Sequence, residues 1–217
     1  MNPTTTQKTS CSPRPGGLAA LGEVKLRAGF EQMLAQARAQ AGGTAPWRLR
    51  KIAELRDLLA LAEISHRLRI EWLDLSTDLR AVVALRTPVP LRGPQSDAPL
   101  EIGALARLAL MYRPEVLVAP QPGYSFAQVL SPRGIWHPNC SRDDSQSLCL
   151  GTQLPIGIPL KEIVLMIYGA LTLQSVQFSV SDSAGVMNGA AAEWWQSNVR
   201  RIPLSREPFV VNPASPP

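Results

Sequence analysis

The chain has 217 residues, of which 45% are hydrophobic, and this composition can build one core of about 100–150 residues. Its net charge is +5, but the arginines are scattered and no stretch interleaves them with aromatic residues, so we predict no nucleic-acid partner. No apolar run approaches the roughly 20 residues of a membrane span, and the first residues lack a signal peptide's apolar segment, which predicts a cytoplasmic protein with no membrane partner. Its three cysteines, Cys11, Cys140 and Cys149, are then expected to be thiols.

Two helices are predicted before the first strand. Residues 1–17 combine Pro, Gly, Ser and Thr without an apolar period and are predicted to be disordered, as is the tail at 211–217. Apolar residues at helical spacing predict an N-terminal helical extension at 18–43. The domain proper, 44–210, then begins with a helix over about 47–64. Its predicted apolar face carries Leu49, Ile52, Leu55, Leu59 and Ala62, with charged residues on the other face.

The chain next changes to the alternating period of strands. Over 68–74 the alternation predicts that Leu68, Ile70 and Trp72 share one face of a half-buried strand. Three further strands are predicted at 79–90, 104–112 and 124–131.

Two helices are predicted after the strands. From Pro159 to Leu171 the apolar residues fit the helical template, and a last helix is predicted at 184–199. Trp194 and Trp195 in that last helix point about 100° apart, so we predict that at most one of them faces the core fully. Strands grouped before helices, instead of alternating with them, indicate an α+β domain.

The segment at 134–159 has neither period, yet it holds the motifs that indicate a function. Its apolar residues argue against disorder, so its backbone is expected to be pinned across the domain. It contains a His-Pro-Asn tripeptide at 137–139 and a Leu-Cys-Leu tripeptide at 148–150. This pattern after a fourth strand resembles the active-site signature of ubiquitin-conjugating enzymes, and the order of elements from 47 to 199 is similar to theirs. Among them, the chain looks most like the bacterial conjugating enzymes encoded in antiviral ubiquitin-like conjugation operons.

The resemblance implies a fold and an activity. The fold is ubiquitin-conjugating-enzyme-like, with an N-terminal helix, a four-stranded antiparallel meander, a catalytic loop and two C-terminal helices. Cys149 would accept a ubiquitin-like protein as a thioester from an activating enzyme and transfer it to an amine, usually lysine, on a target protein in bacterial antiviral defence. Sulfur suits such a carrier, because thiolate is both a good nucleophile and a good leaving group. The resemblance implies no cofactor and no metal.

The resemblance also assigns roles around Cys149. Asn139 would stabilise the oxyanion of the tetrahedral intermediate with its side-chain amide, or alternatively hold the loop. His137 and Pro138 would shape the turn that presents it. Asp182 would orient the incoming amine and accept its proton, although an ordinary helix N-cap is the alternative for this residue. The chain departs from the family pattern in having nine residues between the His-Pro-Asn tripeptide and the cysteine, and in lacking a final helix.

Other interpretations of the same residues stay open from the sequence alone. Cys149 could be a buried core cysteine, and Cys140 is a rival nucleophile. His137, Cys140 and Cys149 together offer three ligands for zinc, although a structural zinc site needs four. Alternatively, the chain is a non-catalytic module of the same fold that binds a ubiquitin-like protein or assembles partners.

Overall fold

A four-stranded antiparallel sheet and the α-helices that contact it form the framework of the protein. The structure, a computed structural model, describes residues 18–92, 99–176, 178, 185–203 and 208–210, with the backbone alone at 18–28. The helices are α1 (Leu18–Gln40), α2 (Ala45–Ile64), α3 (Leu160–Leu171) and α4 (Gly189–Ser197). The strands are β1 (Leu68–Asp74), β2 (Leu79–Arg92), β3 (Leu100–Tyr112), β4 (Gln121–Pro122), β5 (Ala127–Ser131) and β6 (Gln153–Leu154). The segments predicted to be disordered, 1–17 and 211–217, lie outside the described residues.

The main sheet is a meander. Its strands follow the order β1-β2-β3-β5, each antiparallel to its neighbour. Alternate residues of β2, such as Val83 and Leu85, point into the core, while Arg80 is exposed on the outer face. A separate two-stranded ladder pairs Gln121 of β4 with Leu154 of β6. The predicted α+β class and four-stranded antiparallel arrangement are confirmed.

β1 departs from the predicted alternation at a bulge. Its register against β2 shifts between Ile70 and Trp72, so Glu71 is an extra residue in the ladder. Trp72 is 51% exposed, whereas Leu73 packs against the core. The prediction that Trp72 shares a face with Leu68 and Ile70 is wrong, because the bulge inverts the alternation.

α2 buries two charged residues that the sequence analysis places on its polar face. Leu49 is 70% exposed, whereas Lys51 and Glu54 are buried. The Lys51 ammonium donates hydrogen bonds to the carbonyl oxygens of Leu75 and Thr77, and burial lowers its pKa. The predicted apolar face is therefore wrong at Leu49. The face toward the core runs through Lys51 and Glu54 instead, and hydrogen bonding makes their burial tolerable.

Glu54 fixes the start of α3. One carboxylate oxygen accepts a hydrogen bond from the Leu160 N–H at 2.6 Å, and the other lies 2.6 Å from the Arg50 guanidinium. A carboxylate at the first turn of a helix satisfies an N–H that has no partner within the helix, and the helix dipole favours it. The Tyr112 hydroxyl adds a second tie by donating to the carbonyl oxygen of Ile158 at 2.8 Å. These bonds hold the start of α3 against α2 and β3.

The last two helices both bury apolar side chains, and α3 does so along the face that its sequence period predicts. α3 buries its whole predicted apolar face, namely Leu160, Ile163, Val164, Ile167, Tyr168 and Leu171. In α4, Trp195 is buried and Trp194 is half-buried. α4 starts later than the predicted residue 184, because the Asn188 side chain caps it by accepting a hydrogen bond from the Ala191 N–H at 3.1 Å.

Two strand boundaries also differ from the predictions. β3 already begins at Leu100, where its pairing with β2 starts. β5 begins only at Ala127, because Gly123–Ser125 form a 3₁₀ turn. Within the described ranges, no helix combines the length and apolar character needed to cross a membrane.

We expect Glu54→Ala to lower the free energy of unfolding by about 2–4 kcal/mol. The substitution removes the acceptor of the Leu160 N–H and the carboxylate beside Arg50. Urea unfolding measures the loss. Glu63→Ala is the matched control, because Glu63 is exposed on the same helix, and it should change stability by less than about 0.5 kcal/mol. Equal effects of the two substitutions would contradict the role assigned to Glu54.

Candidate functional site

A short antiparallel hairpin brings the two signature tripeptides together. The Cys149 N–H donates to the carbonyl oxygen of Asn139 at 2.8 Å, and the Ser141 N–H donates to that of Ser147 at 3.0 Å. Between these two bonds, Cys140 pairs with Leu148. Asn139 and Cys149 are therefore directly opposite each other. Opposed residues of an antiparallel pair project to the same face, with Cβ atoms about 5 Å apart.

The serine-rich stretch between the tripeptides forms the turn of this hairpin. The exposed Asp143 carboxylate accepts hydrogen bonds from the Ser141 hydroxyl at 2.8 Å and from the Ser145 N–H at 3.0 Å. Hydrogen bonds from the side chains of Ser145 and Ser141 lower the pKa of Asp143. The sequence analysis did not identify this role, although an Asp flanked by serines is a typical local signal for such a turn. The residues between the two tripeptides thus form a closed turn, which keeps the tripeptides paired.

Gln146 fastens the turn to the sheet. Its backbone has a φ of 43°, and its side chain is buried. The amide nitrogen donates to the carbonyl oxygens of Val129 and Pro132, each at 3.0 Å. The amide oxygen accepts from the Gly134 N–H at 3.0 Å. Nothing in the sequence around Gln146 signals this function, because all its partners lie on other segments.

His137 is a neutral, buried side chain that fixes the backbone of Asn139 by a hydrogen bond. It is fully buried, its Nε2 lies 2.7 Å from the carbonyl oxygen of Ala170, and its Nδ1 lies 3.0 Å from the Asn139 nitrogen. Because a carbonyl only accepts and an N–H only donates, Nε2 carries the proton and Nδ1 is bare. Burial lowers the pKa of His137 to about 4, which keeps this tautomer at neutral pH. His137 therefore orients the Asn139 backbone and ties it to the end of α3.

Pro138 connects the same segment to α4. Its carbonyl oxygen accepts hydrogen bonds from the N–H groups of Met187 and Asn188, both at 2.8 Å. The Trp195 indole donates to the carbonyl oxygen of Trp136 at 2.8 Å. Hydrogen bonds thus connect the His-Pro-Asn tripeptide both to α3 and to the start of α4.

Asn139 and Cys149 line one cavity of about 290 Å³ together with residues of α3 and of the segments on either side of it. Cys149 is only 4% exposed, and its thiol lies 3.3 Å from the carbonyl oxygen of Gly151. The Asn139 side-chain oxygen is buried and has no hydrogen-bond partner in the part of the chain that the structure describes. One cavity is therefore lined both by a residue with a thiol and by a residue with a carboxamide.

Two glycines permit the backbone to turn beside the thiol. Gly151 has a φ of +130°, a conformation that residues with a side chain rarely adopt. A Cβ on Gly123 would lie 2.2 Å from the carbonyl oxygen of Gly151, and the Leu150 N–H donates to the Gly123 carbonyl oxygen at 3.3 Å. Residues 150–151 after Cys149 therefore contact the turn at Gly123 before β5.

Cys140 lies on the other face of the hairpin. It is fully buried, and its sulfur is 3.6 Å from the carbonyl oxygen of Gln146. Burial raises the pKa of the Cys140 thiol to about 12, so it is not a thiolate at neutral pH. This residue packs in the core, away from the cavity that Cys149 lines.

The remaining candidates are placed as follows. Asp182 and Cys11 lie outside the described residues. Cys140 and Cys149 are not joined to each other by a disulfide. Among the described side chains, no three His, Cys, Asp or Glu residues are grouped as metal ligands.

His137 makes stability depend on pH in a predictable direction. Its pKa falls from about 6.5 in the unfolded chain to about 4 in the folded protein, so its contribution is complete above pH 6.5 and is lost as the pH falls toward 4. The loss between pH 7 and pH 4 is roughly 3 kcal/mol. We expect the free energy of unfolding of His137→Gln, measured with urea, to fall by about this amount less between pH 7 and pH 4. His66→Gln is the control, because His66 is exposed, and its stability should depend on pH as that of the unsubstituted protein does. The same loss of stability in all three proteins would contradict the prediction.

The two described cysteines should differ in reactivity toward iodoacetamide. We expect Cys149 to be alkylated at least about tenfold faster than Cys140 in the folded protein, because Cys149 lines a cavity and Cys140 is a buried, protonated thiol. Trypsin separates the two residues, since Arg142 lies between them, and mass spectrometry of the peptides gives both rates. Faster alkylation of Cys140 would show that the hairpin faces are wrongly assigned, and unfolding in urea should remove the difference.

Comparison with known proteins does not assign the chain to a family. No family model, curated protein or solved structure matches it. The function is therefore inferred from the hairpin and its cavity.

Proposed function

We propose that this protein is a thioester carrier of the ubiquitin-conjugating type. Cys149 accepts the C-terminal carbonyl of a ubiquitin-like protein from an activating enzyme and transfers it to an amine, usually a lysine, on a target protein. The observation that carries the proposal is the direct opposition of Cys149 and Asn139 on one hairpin, with both residues lining the same cavity. The motif resemblance adds bacterial antiviral defence as the setting, and the sequence pattern adds the cytoplasm as the location.

Loading exchanges one thioester for another. The Cys149 thiolate attacks the carbonyl carbon, the bond to the activating enzyme's sulfur breaks, and that sulfur leaves as a thiolate. The ubiquitin-like protein is then bound to Cys149 through its terminal carbonyl. The free energies of the two thioesters are similar, so the step needs no cofactor in this chain.

Discharge forms an amide and regenerates the Cys149 thiol. The amine nitrogen attacks the carbonyl, a tetrahedral oxyanion forms, and the carbon–sulfur bond then breaks. Asn139 is the suitable donor for this oxyanion, because its side chain shares a face with the sulfur across the pair. His137 supports this role by holding the Asn139 backbone, while its own neutral, buried ring is unsuited to accept the proton.

The incoming amine must lose a proton to become an amide. Among the described residues that line the cavity, Cys149 alone has a titratable side chain. The resemblance to ubiquitin-conjugating enzymes assigns the orienting carboxylate to Asp182. Asp182→Asn should slow discharge while leaving loading unchanged.

The fold supports the same proposal. A helix, a four-stranded meander, an irregular catalytic segment and further helices follow one another as in ubiquitin-conjugating enzymes. The cavity lies between the hairpin, residues 150–152 after Cys149, and Met166 and Ala170 of α3. This arrangement gives a threaded C-terminal tail a place to lie.

The test is adduct formation with the ubiquitin-like protein and activating enzyme of the same genome, in the presence of ATP. We expect an adduct that dithiothreitol cleaves, a dithiothreitol-resistant ester with Cys149→Ser, and no adduct with Cys149→Ala. Asn139→Ala should load normally but discharge to free lysine about 10²–10³-fold more slowly. Denaturing gels without reductant and intact-mass spectrometry measure both steps.

Cys140→Ala is the matched control for the thiol and should load as the unsubstituted protein does. An adduct that persists in Cys149→Ala would overturn the site. Binding of the ubiquitin-like protein without any adduct would favour the alternative of a non-catalytic binding module. A genome that encodes neither partner would contradict the proposed pathway.

A further inference from the structure

A second and larger cavity lies where the end of β2, the start of β3 and the hairpin turn meet. It encloses about 570 Å³, a volume typical of sites that bind small ligands or a few side chains. Leu91, Pro99 and Ile135 form an apolar wall, and Ser141 and Gln146 of the hairpin also line it. The cavity is separate from the one that holds the Cys149 thiol, since the two share no described lining residue.

The charged residues of this cavity are mainly cationic. Arg92, Arg133 and Arg142 line it, against a single described carboxylate, that of Glu101. Arg133 donates to the backbone carbonyl oxygen of Asp144 at 2.5 Å. Among the described carboxylates, none forms an ion pair with Arg133 or Arg142. The described lining thus carries an excess of positive charge beside an apolar wall.

Aromatic rings hold several of these cations close together. The guanidinium carbons of Arg92 and Arg142 lie 4.9 and 5.6 Å from the Trp136 ring centroid. Arg92 also lies 5.9 Å from the Trp194 ring, and Arg201 lies 5.2 Å from the same ring. Cation–π contacts orient guanidinium groups over the rings, but they do not neutralise the charge. An anion in the cavity would gain from the arginines that line it.

Trp136 supplies a second feature that points to a ligand. Its side chain is only 8% exposed, and its indole Nε1 is buried with no hydrogen-bond partner among the described residues. A buried donor without an acceptor is costly, and a bound acceptor removes that cost. Trp136 lines the cavity, so a ligand oxygen that displaces the groups covering Nε1 can accept from the indole.

We infer that this cavity binds a carboxylate-rich peptide segment of a partner protein. Guanidinium groups match carboxylates in geometry, the indole adds a neutral donor, and the apolar wall accommodates an apolar side chain next to the acid. Single-stranded nucleic acid fits less well, because it binds by stacking bases on open aromatic faces, and arginines lie over the rings of Trp136 and Trp194 here. The inference does not depend on the chemistry proposed for Cys149.

The test measures the binding of a fluorescein-labelled peptide of glutamates with two leucines by fluorescence anisotropy. A peptide with glutamine in place of every glutamate is the neutral probe, and oligothymidine is the nucleic-acid probe. We expect the acidic peptide to bind, the neutral peptide to bind at least about tenfold more weakly, and added salt to weaken binding. Arg142→Glu and Arg133→Glu should each lower the affinity for the acidic peptide about tenfold or more.

Arg48→Glu is the matched control, because it makes the same change of charge at an exposed position of α2 that does not line the cavity. It should alter the affinity by less than about threefold. In nitrogen–proton spectra the indole signal that Trp136→Phe removes should shift when the acidic peptide is added. Circular dichroism verifies that each variant is folded.

Three outcomes would overturn the inference. The first is that Arg48→Glu and Arg142→Glu weaken binding of the acidic peptide equally. The second is that the Trp136 indole signal does not change at a saturating concentration of the acidic peptide. The third is that oligothymidine binds as tightly as the peptide and depends on Arg142 in the same way. The first two would show attraction by net charge alone. The third would assign the cavity to nucleic acid.

Discussion

The pairing of Asn139 with Cys149 across a hairpin is the constraint on which the candidate site depends. One backbone hydrogen bond of 2.8 Å fixes the register, and register decides which side chains share a face. Cys149 and Asn139 line the cavity, while Cys140 and Leu148 fill the core behind them. The chemistry proposed for the thiol therefore follows from backbone geometry, and the side chains around it mainly hold that geometry in place.

Buried polar groups keep the hairpin and α3 in position. His137 and Gln146 use their ring or amide to join segments that are distant in the sequence, and Glu54 does the same for the start of α3. Each of these groups is removed from water, so its removal leaves donors or acceptors without partners. Such networks define one arrangement more sharply than apolar contacts do, because hydrogen bonds require both distance and direction.

The elements that the sequence predicts well are those whose signal is local. The apolar period of α3 and the strand pattern of the meander depend on neighbouring residues, and the structure reproduces both. Trp72 was misplaced, because a bulge is a property of the pairing between two strands. Lys51 was misplaced for a similar reason, since its carbonyl acceptors come from the loop after β1.

The sequence indicates only part of the geometry of the candidate site. The tripeptides make Asn139 and Cys149 candidates, but their positions opposite each other depend on the Asp143 turn and on Gln146, which the motif does not include. The grouping of Arg92, Arg142 and Arg201 around two tryptophans was not foreseen either. Those arginines are scattered along the chain, and a charge pattern along the sequence does not report contacts between distant segments.

The hairpin restricts how the length of its turn can change during evolution. Residues can be added in pairs, one to each arm, and the sulfur still projects to the same side as the carboxamide. A change that shifted the pairing by a single position would exchange the two faces of one arm. Leu148 or Leu150 would then point into the cavity, and the Cys149 sulfur would enter the core. Related chains with turns of different length should therefore keep the residues equivalent to Asn139 and Cys149 opposite each other.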